Sequence, residues 1–466
     1  MSQQRTIISG GAVLSMDAAI GDFDRADVLV EDGRIAAVGP DLEAPDALVV
    51  DATDAIVLPG FVDTHRHTWQ ASLRNLASDW TLAHYFTGLH AGLSGLFRPE
   101  DTHAANLIGT LEALDSGITT LLDWSHNLNT PEHADAAVAG LRESGARAIF
   151  AHGGGAKQYQ VPSDVPHPED ARRIREQYFS SDDQLVTMAM ALRGPQFADK
   201  DVTRDDFALA RELGARITVH VGDGEWGKNR PVAWLHEEGL MGPDVTYVHC
   251  NTIADDEIDL IAATGGTASV AADVEMQMGH GWPATGRLLD AGVRPSLSID
   301  VCSSNGGHMF GVMRTTIGVQ RALDHARAEA RGVPLESLRL HCRDVVAFAT
   351  IEGARAVGLD HRIGSLTPGK DADVIVVRTD SLGLSPLNHP YGALIYNAHP
   401  GLVDTVLVQG RIVKRDGRLT EVDHGSLRRL AESSRDYLLG QARHQPAIAD
   451  ACCGGTWIPR PYVPQV

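Results

Sequence analysis

The spacing of apolar residues changes twice along this chain. Residues 6–57 contain short β-branched and apolar runs, and the Asp32-Gly33 pair between two of them is a typical hairpin signal. From about residue 100 to residue 330, apolar runs alternate with longer segments in which apolar residues recur at helical spacing. This alternation predicts βα units that build a parallel sheet.

Eight apolar runs of this kind predict a (β/α)8 barrel, the TIM-like form of an α/β fold. The predicted strands are residues 61–67, 119–123, 148–152, 185–190, 217–220, 245–249, 267–270 and 293–300. Helices between them are predicted over residues 104–116 and 206–213, because a glycine follows each segment as a stop signal.

Short strands return towards the C-terminus. Residues 335–358 are predicted to be helical, and strands are predicted at residues 372–377 and within residues 403–413. These late strands would pair with the N-terminal strands into one discontinuous β-sandwich.

We therefore predict a discontinuous domain arrangement. Residues 1–58 and 365–420 would form a β-sandwich built from both ends of the chain, and residues 59–364 would form the barrel. Residues 421–466 would form a C-terminal helix, amphipathic at 427–439, and a tail rich in proline and glycine.

Composition narrows the class of protein. The chain has 466 residues, of which 43% are hydrophobic, and a formal net charge of −21. The acidic balance argues against a nucleic-acid partner, and no apolar run approaches the roughly 20 residues that span a membrane. Five cysteines in so long a chain do not form a disulfide framework, so we expect a cytoplasmic location. Since the sequence argues against a nucleic-acid or membrane partner, we expect the protein to act on a small molecule. The tail is expected to cover the surface or a neighbouring subunit of a homo-oligomer.

Polar residues fall at the predicted C-terminal ends of the barrel strands. Residues i and i+2 of a strand face the same side, so His65 and His67 would project together from the first strand. Active sites in barrels of this type form at the C-terminal ends of the strands. The polar residues at or just past these ends are His65, His67, Asp123, His152, His220, His249 and Asp300.

Three imidazoles and one carboxylate from this group could hold a single divalent ion. The predicted ligands are His65, His67, His220 and Asp300. Imidazole nitrogen and carboxylate oxygen suit zinc, and also iron, cobalt or manganese. Such an ion lowers the pKa of a bound water towards about 7, and Asp300 could also take a proton from that water.

Hydrolysis also needs groups that carry protons. His249 is placed to polarise the group under attack or to carry a proton, although it could be a core histidine bonded to a neighbour. Asp223, three residues past His220, could shuttle the proton, and Glu225 is its rival. Asp223 could instead be a turn residue, because Asp-Gly is a turn signal.

The long segment after the first strand supplies candidates for substrate binding. Trp69, Trp80 and Tyr85 could hold an apolar or aryl group, and Gln70 could bond to an amide or a urea. Packing within the segment is the alternative role for each of these residues.

Several segments carry a resemblance to a known family. They are PGFVDTHRH at 59–67, LEALDSGITTLLD at 111–123, TVHVGD at 218–223, VTYVHC at 245–250 and SIDVCSSN at 298–305. With these segments the chain resembles the amidohydrolase superfamily, in its cytosine deaminase and triazine chlorohydrolase branch. The resemblance implies a distorted barrel, a β-sandwich and a metal-activated water. It also implies that the four predicted ligands bind the metal and that His249 polarises the substrate.

The chain departs from the deaminase pattern of that superfamily at three places. Asp223 stands where deaminases usually have a glutamate, residues 271–275 replace a Pro-x-Ser-Asn stretch, and His308 replaces an acidic residue. The HRHTWQ and DWTLAHYF segments resemble the phenylurea and molinate (thiocarbamate) hydrolases of the same superfamily. No lysine occurs in residues 185–192, where members with two metals carry a carboxylated lysine.

We therefore predict a mononuclear metal-dependent amidohydrolase that cleaves a C–N bond of a small amide, urea or (thio)carbamate. The first alternative is a deaminase or dechlorinase of a nitrogen heterocycle, which would release ammonia or chloride instead of an amine. The second alternative is a non-catalytic scaffold with the same barrel. Scaffolds of that kind tend to lose metal ligands, whereas all the ligand positions are filled in this chain.

Overall fold

The structure is a computed structural model that describes residues 5–159 and 162–442. Its first five strands lie in the N-terminal segment, where the sequence predicts short strands. They are β1 Arg5–Leu14, β2 Asp22–Glu31, β3 Arg34–Gly39, β4 Leu48–Asp51 and β5 Ala55–Pro59. The predicted C-terminal tail, from residue 444 onwards, lies outside the described residues.

Eight parallel strands follow and form a nearly closed barrel, paired in chain order. They are β6 Phe61–Arg66, β7 Ile118–Ser125, β8 Arg147–His152, β9 Val186–Leu192, β10 Arg216–Val221, β11 Val245–His249, β12 Thr267–Val270 and β13 Ser296–Leu297. Every residue of β6 is buried, as expected for a strand with the barrel interior on one side and helices on the other. The predicted α/β barrel is confirmed.

Pro59 and Gly60 separate the last strand of the N-terminal group from the first strand of the barrel. A Cβ atom added to Gly60 would lie 2.1 Å from Oγ1 of Thr119, so a larger residue would not fit. The backbone N–H of Gly60 donates to the carbonyl oxygen of Asp373 at 3.0 Å. The chain therefore passes from one sheet to the other at a single tightly packed residue.

The described helices cover the barrel and extend beyond it. They are α1 Leu82–Tyr85, α2 Pro99–Asp115, α3 Pro131–Ser144, α4 Asp170–Tyr178, α5 Gly194–Phe197, α6 Lys200–Glu212, α7 Pro231–Glu237, α8 Asp255–Thr264, α9 Ala272–Met278, α10 Thr285–Asp290, α11 Met309–Ala330, α12 Cys342–Phe348, α13 Ile351–Ala356, α14 Pro390–Tyr396 and α15 His424–Ala442. Within the described ranges, no helix combines the length and the apolar character needed to cross a membrane.

The prediction that residues 335–358 are helical is correct for part of this range. The structure has the two short helices α12 and α13 there, and residues 333–341 belong to neither of them. Thr350 separates the two helices because its backbone, with φ −130° and ψ −93°, is not helical.

The C-terminal strands complete a second, largely antiparallel sheet of nine strands. They are β14 Val374–Arg378, β15 Val403–Val408, β16 Arg411–Arg415 and β17 Arg418–Leu419. β14 pairs antiparallel with β5, with Ile375 opposite Leu58. The strand order is β17-β16-β15-β14-β5-β1-β2-β3, with β4 beside β1. Both ends of the chain therefore contribute to one hydrogen-bonded sheet.

The barrel closes near Asp300. The predicted strand over residues 293–300 is wrong in extent, because β13 has two residues and Asp300 has a φ of +61°, which a regular strand cannot contain. Closure depends on two backbone hydrogen bonds: Asp300 N donates to His65 O at 2.9 Å, and His67 N donates to Asp300 O at 2.7 Å. Three of the predicted metal ligands therefore also close the barrel.

A buried ion pair ties the barrel to the nine-stranded sheet. Arg147, the first residue of β8, donates from Nε to Oδ2 of Asp373 at 3.0 Å and from Nη2 to Oδ2 of Asp371 at 3.0 Å. All three side chains are at most 2% exposed. Arg362 also pairs with Asp371, at 2.9 Å. The opposite charges at this junction are therefore paired, as buried charges require.

Candidate active site

The four predicted metal ligands meet at the C-terminal end of the barrel. Nε2 of His65 lies 3.3 Å from Oδ1 of Asp300, and Nε2 of His67 lies 3.2 Å from the same oxygen. The ring centroid of His220 lies 4.8 Å from that of His65. One possible ligand atom from each of His65, His67 and His220 lies within 4.8 Å of the others, and all three residues are buried.

The chemistry of these atoms fits a bound cation. Nδ1 of His67 lies 3.0 Å from the carbonyl oxygen of Trp124, which can only accept a hydrogen bond. Nδ1 therefore carries the proton, and Nε2 presents a lone pair to the Asp300 carboxylate. Burial lowers the pKa of His65 to about 3, so its imidazole is neutral. Neither ring nitrogen of His65 has a hydrogen-bond partner among the described residues. A divalent ion would satisfy these facing lone pairs.

His249 stands at the end of β11, beside Asp300. Its Nε2 lies 3.7 Å from Oδ2 of Asp300, and its Nδ1 lies 3.1 Å from Oε1 of Glu275. Burial opposes the charged form, but the hydrogen bond to Glu275 and the charge of Asp300 raise the pKa of His249 to about 9. Because a carboxylate can only accept hydrogen bonds, Nδ1 carries a proton, and Nε2 faces Asp300 and the cavity. Sequence reasoning missed Glu275 as the partner of His249.

Asp223 lies in the wall of the cavity, and its rival Glu225 does not. Asp223 is buried, whereas the side chain of Glu225 is 89% exposed and pairs with Lys228 on the surface. The amide of Gln196, in α5, donates from Nε2 to Oδ1 of Asp223 and accepts the backbone N–H of Gly222 at 2.8 Å. Sequence reasoning missed Gln196, which carries no motif signal.

Of the four predicted substrate-binding residues, the structure brings Tyr85 to the cavity wall. Gln70 lies behind it, donating from Nε2 to the Tyr85 hydroxyl at 2.6 Å and accepting from the Ser303 hydroxyl at 2.8 Å. Trp69 and Trp80 are buried in the apolar cluster around this wall. In the part of the chain that the structure describes, Trp69, Gln70 and Trp80 therefore support the wall and do not line the cavity.

Two histidines that sequence reasoning missed also line the cavity. The indole N–H of Trp69 donates to Nδ1 of His126 at 2.8 Å, so Nε2 of His126 carries the proton and faces Nε2 of His90 at 2.6 Å. The ring of His126 stacks on that of His67 with 4.0 Å between centroids. His126 directly follows β7, so the strand-end rule could have found it. His90 lies in a helical turn of the long loop, where no pattern marks it.

Three other polar residues named from the sequence lie away from this cavity. His152 in β8 contacts His167 at 2.9 Å between ring nitrogens, and it lines a separate cleft of about 430 Å³. Oδ2 of Asp123 accepts a hydrogen bond of 3.1 Å from α2. His308 caps α11 by accepting the backbone N–H of Gly311 at 3.1 Å. The convergence at the strand ends is therefore partial.

The cavity has a volume of about 30 Å³, which accommodates water but not an organic substrate. Aromatic rings close one side of it. The Phe86, Phe197 and Trp226 rings pack on one another with centroid distances of 5.8, 5.3 and 5.0 Å. Phe86 and Phe197 line the cavity, as does His280.

The sequence profile of the amidohydrolase family matches residues 56–413. The chain belongs to this family. With deaminases among its relatives, it is a hydrolase that acts on carbon–nitrogen bonds other than peptide bonds.

Among curated proteins, the chain is 30% identical over 455 residues to a 5'-deoxyadenosine deaminase of Methanothermobacter thermautotrophicus, covering 94% of this chain and 100% of the relative. It is 31% identical over 432 residues to a 5-methylthioadenosine/S-adenosylhomocysteine deaminase of Symbiobacterium thermophilum, covering 89% and 94%. The similarity to these deaminases therefore extends over nearly the whole chain.

Solved structures of the same fold include an adenosine deaminase from Xanthomonas campestris with bound zinc. It has a TM-score of 0.82 and 25% identity, covering 93% of this chain and 98% of that one. An atrazine chlorohydrolase of Arthrobacter aurescens, complexed with zinc and atraton, has a TM-score of 0.80 and 22% identity, covering 93% and 100%. At that identity the second structure is evidence for the fold alone.

Proposed function

We propose that this chain is a metal-dependent deaminase that releases ammonia from an amino group on a nitrogen heterocycle. An adenine-type 5'-deoxynucleoside is the first substrate to test. One observation carries the proposal: the chain is similar over nearly its whole length to such deaminases, and Asp223, His249 and three of the predicted metal ligands line one cavity. The fourth predicted ligand, His65, contacts Asp300 beside that cavity. This favours the first alternative from the sequence over the amide, urea or carbamate hydrolase.

Zinc is the proposed metal. Three imidazoles and a carboxylate suit it, and the adenosine deaminase of similar fold holds zinc. When bound, the ion would supply hydroxide at neutral pH by lowering the pKa of a water molecule towards about 7. The binding residues would be His65, His67, His220 and Asp300. A homo-oligomer in the cytoplasm stays a prediction from the sequence.

The chain's own residues supply the proton transfers. Hydrolytic deamination adds water to the carbon that bears the amino group, moves protons to the ring nitrogen and the leaving amine, and releases ammonia. Asp223 lies in the cavity wall and, held by Gln196, can accept a proton and pass it on. His249, whose Nε2 faces the cavity, can polarise the group under attack or carry a proton. The rings of Phe86 and Phe197 would pack on a flat heterocycle and exclude water.

A panel of substrates tests the proposal. The zinc-loaded protein is incubated with 5'-deoxyadenosine, 5-methylthioadenosine, S-adenosylhomocysteine, adenosine and an aminotriazine, and with a phenylurea and a thiocarbamate. We expect ammonia from at least one heterocycle and no amine from the urea or the thiocarbamate. Amine release from these two, without ammonia from any heterocycle, would contradict the proposal. That result would support the likeness of HRHTWQ and DWTLAHYF to phenylurea and molinate hydrolases.

A further inference from the structure

Glu275 is a fully buried carboxylate that faces His249 from the helix that follows the neighbouring barrel strand. It lies in α9, which begins two residues after the end of β12. Its Oε1 accepts two hydrogen bonds, one of 2.8 Å from the backbone N–H of Ala271 and one of 3.1 Å from Nδ1 of His249. The backbone N–H of Glu275 donates to the carbonyl oxygen of Ala271 at 3.0 Å. These reciprocal bonds fix the carboxylate at the end of β12.

We propose that Glu275 is a positioning residue that keeps a proton on Nδ1 of His249 and so turns Nε2 towards Asp300 and the cavity. A carboxylate can only accept hydrogen bonds, so the nitrogen that faces Glu275 must be the donor. The other nitrogen then lies 3.7 Å from Oδ2 of Asp300. The inference rests on the proposed function in so far as His249 acts on the substrate.

The backbone at His249 has a conformation that few residues other than glycine adopt. His249 has a φ of +76° and Cys250 a φ of +59°, both in the left-handed region that side chains other than glycine rarely adopt. This turn places the imidazole between Glu275 and the ring of His280, whose centroid lies 4.8 Å away. Strained backbone of this kind persists where the surroundings hold it, and it is common at functional sites.

A second buried glutamate shows what a purely structural role looks like. Oε1 of Glu257 accepts the backbone N–H groups of Val232 and Ala233, and its Oε2 accepts that of Ala254, all at 3.0 Å. In contrast, Glu275 receives one backbone N–H, and its Oε2 has no hydrogen-bond partner among the described residues. Its remaining partner is the imidazole of His249. A helix cap alone therefore does not explain why a carboxylate is buried there.

Two substitutions separate positioning from charge. Glu275→Met removes the acceptor at similar volume, so the rate constant kcat should fall about 10–100-fold with little change in KM, the usual scale for a residue that orients another one. Glu275→Gln keeps an oxygen that can accept both bonds. If the Gln amide were reversed, its NH2 group would face the backbone N–H of Ala271, and two donors repel each other. The oxygen should therefore stay in place, so the ring of His249 should keep its position and kcat should fall only a few-fold. If Gln is as damaging as Met, the charge matters and the positioning role is wrong.

A double-mutant cycle gives the second test. If Glu275 acts through His249, Glu275→Met should have no further effect on kcat in the His249→Ala background. Losses that multiply would contradict the proposal. Glu257→Gln is the matched control, and it should lower the thermal midpoint without changing kcat.

A spectroscopic test does not depend on turnover or on the Met variant folding. Nitrogen-15 NMR of histidine-labelled protein, assigned with the His249→Ala spectrum, should show a proton on Nδ1 of His249 in the unchanged chain and in Glu275→Gln. A bare Nδ1 in the unchanged chain would overturn the proposal. If no substrate is turned over but Nδ1 carries its proton, the proposed function fails and the positioning geometry stands.

Discussion

The amide of Gln196 holds Asp223 in the cavity wall. It donates to Oδ1 of Asp223 and accepts the backbone N–H of the preceding Gly222, so both the acid and its loop are fixed from α5. Asp is one methylene shorter than the glutamate that the resemblance to deaminases predicts at this position. The bond to Gln196 shows that the shorter side chain is oriented within the cavity and not left in a surface turn.

Asp223→Asn should abolish turnover while metal content and substrate affinity stay near normal. Asparagine keeps the size and can keep the contact with Gln196, but it cannot carry the proton. Glu225→Gln is the matched control, and it should be fully active because the Glu225 side chain is 89% exposed. Single-turnover kinetics and metal analysis check both variants. An active Asp223→Asn together with an inactive Glu225→Gln would assign the proton transfer to Glu225.

His220→Ala should lose bound metal and activity together, because His220 is a predicted ligand from the fifth barrel strand. His103→Ala serves as the control. His103 pairs with Glu143 at 2.9 Å on the outside of the barrel, so this variant should keep its bound metal. Metal per chain is measured after dialysis. A full complement of metal in His220→Ala would remove this residue from the ligand set.

His249→Ala should keep the metal and the fold while the rate falls about 10²–10⁴-fold, the usual effect of removing a positioned acid or base. The reason is its position: Nε2 lies 3.7 Å from the nearest oxygen of Asp300, beside the ligand cluster. Metal analysis and circular dichroism accompany the kinetics. Loss of metal in this variant would make His249 a fifth ligand.

Arg147→Met should lower the free energy of unfolding by about 3–5 kcal/mol, the usual cost of leaving a buried charge without its partner. Asp371 keeps Arg362, but Asp373 would lose the guanidinium that pairs with it. Arg172→Met is the control at a surface ion pair, and it should lower the free energy of unfolding far less because solvent screens that pair. Urea unfolding at equal m-values checks the difference. Equal effects in both variants would show that the buried pair adds no special stability.

The barrel strands could be predicted from the sequence because they are apolar runs at regular intervals. The ligand cluster could be predicted because its residues stand at the C-terminal ends of those runs. Apolar runs marked the barrel strands, and parallel strands bring their C-terminal residues together. His65, His67, His220 and Asp300 therefore meet although they come from three distant segments of sequence. The eighth strand was overestimated because apolar content does not reveal the left-handed backbone of Asp300.

The surroundings of the ligands could not be predicted in the same way. Gln196 and Glu275 reach the site from short helices after strands, and their direction depends on packing that no period encodes. The aromatic residues after the first strand show the converse. By sequence, Trp69 and Tyr85 are equally good candidates for lining a pocket. The structure shows that Tyr85 lines the cavity and that Trp69 lies behind its wall.

The pairing of β5 with β14 has a consequence for how the chain folds during synthesis. β5 ends at Pro59, and its antiparallel neighbour begins at Val374, so the ribosome must make the entire barrel before these two strands can meet. Until then β5 presents an unpaired apolar edge, which is the kind of edge that binds other chains. Contacts between such distant segments also slow folding. The growing chain is therefore prone to aggregate until the C-terminal strands have been synthesised and have left the ribosome. Completion of the barrel alone does not end this period.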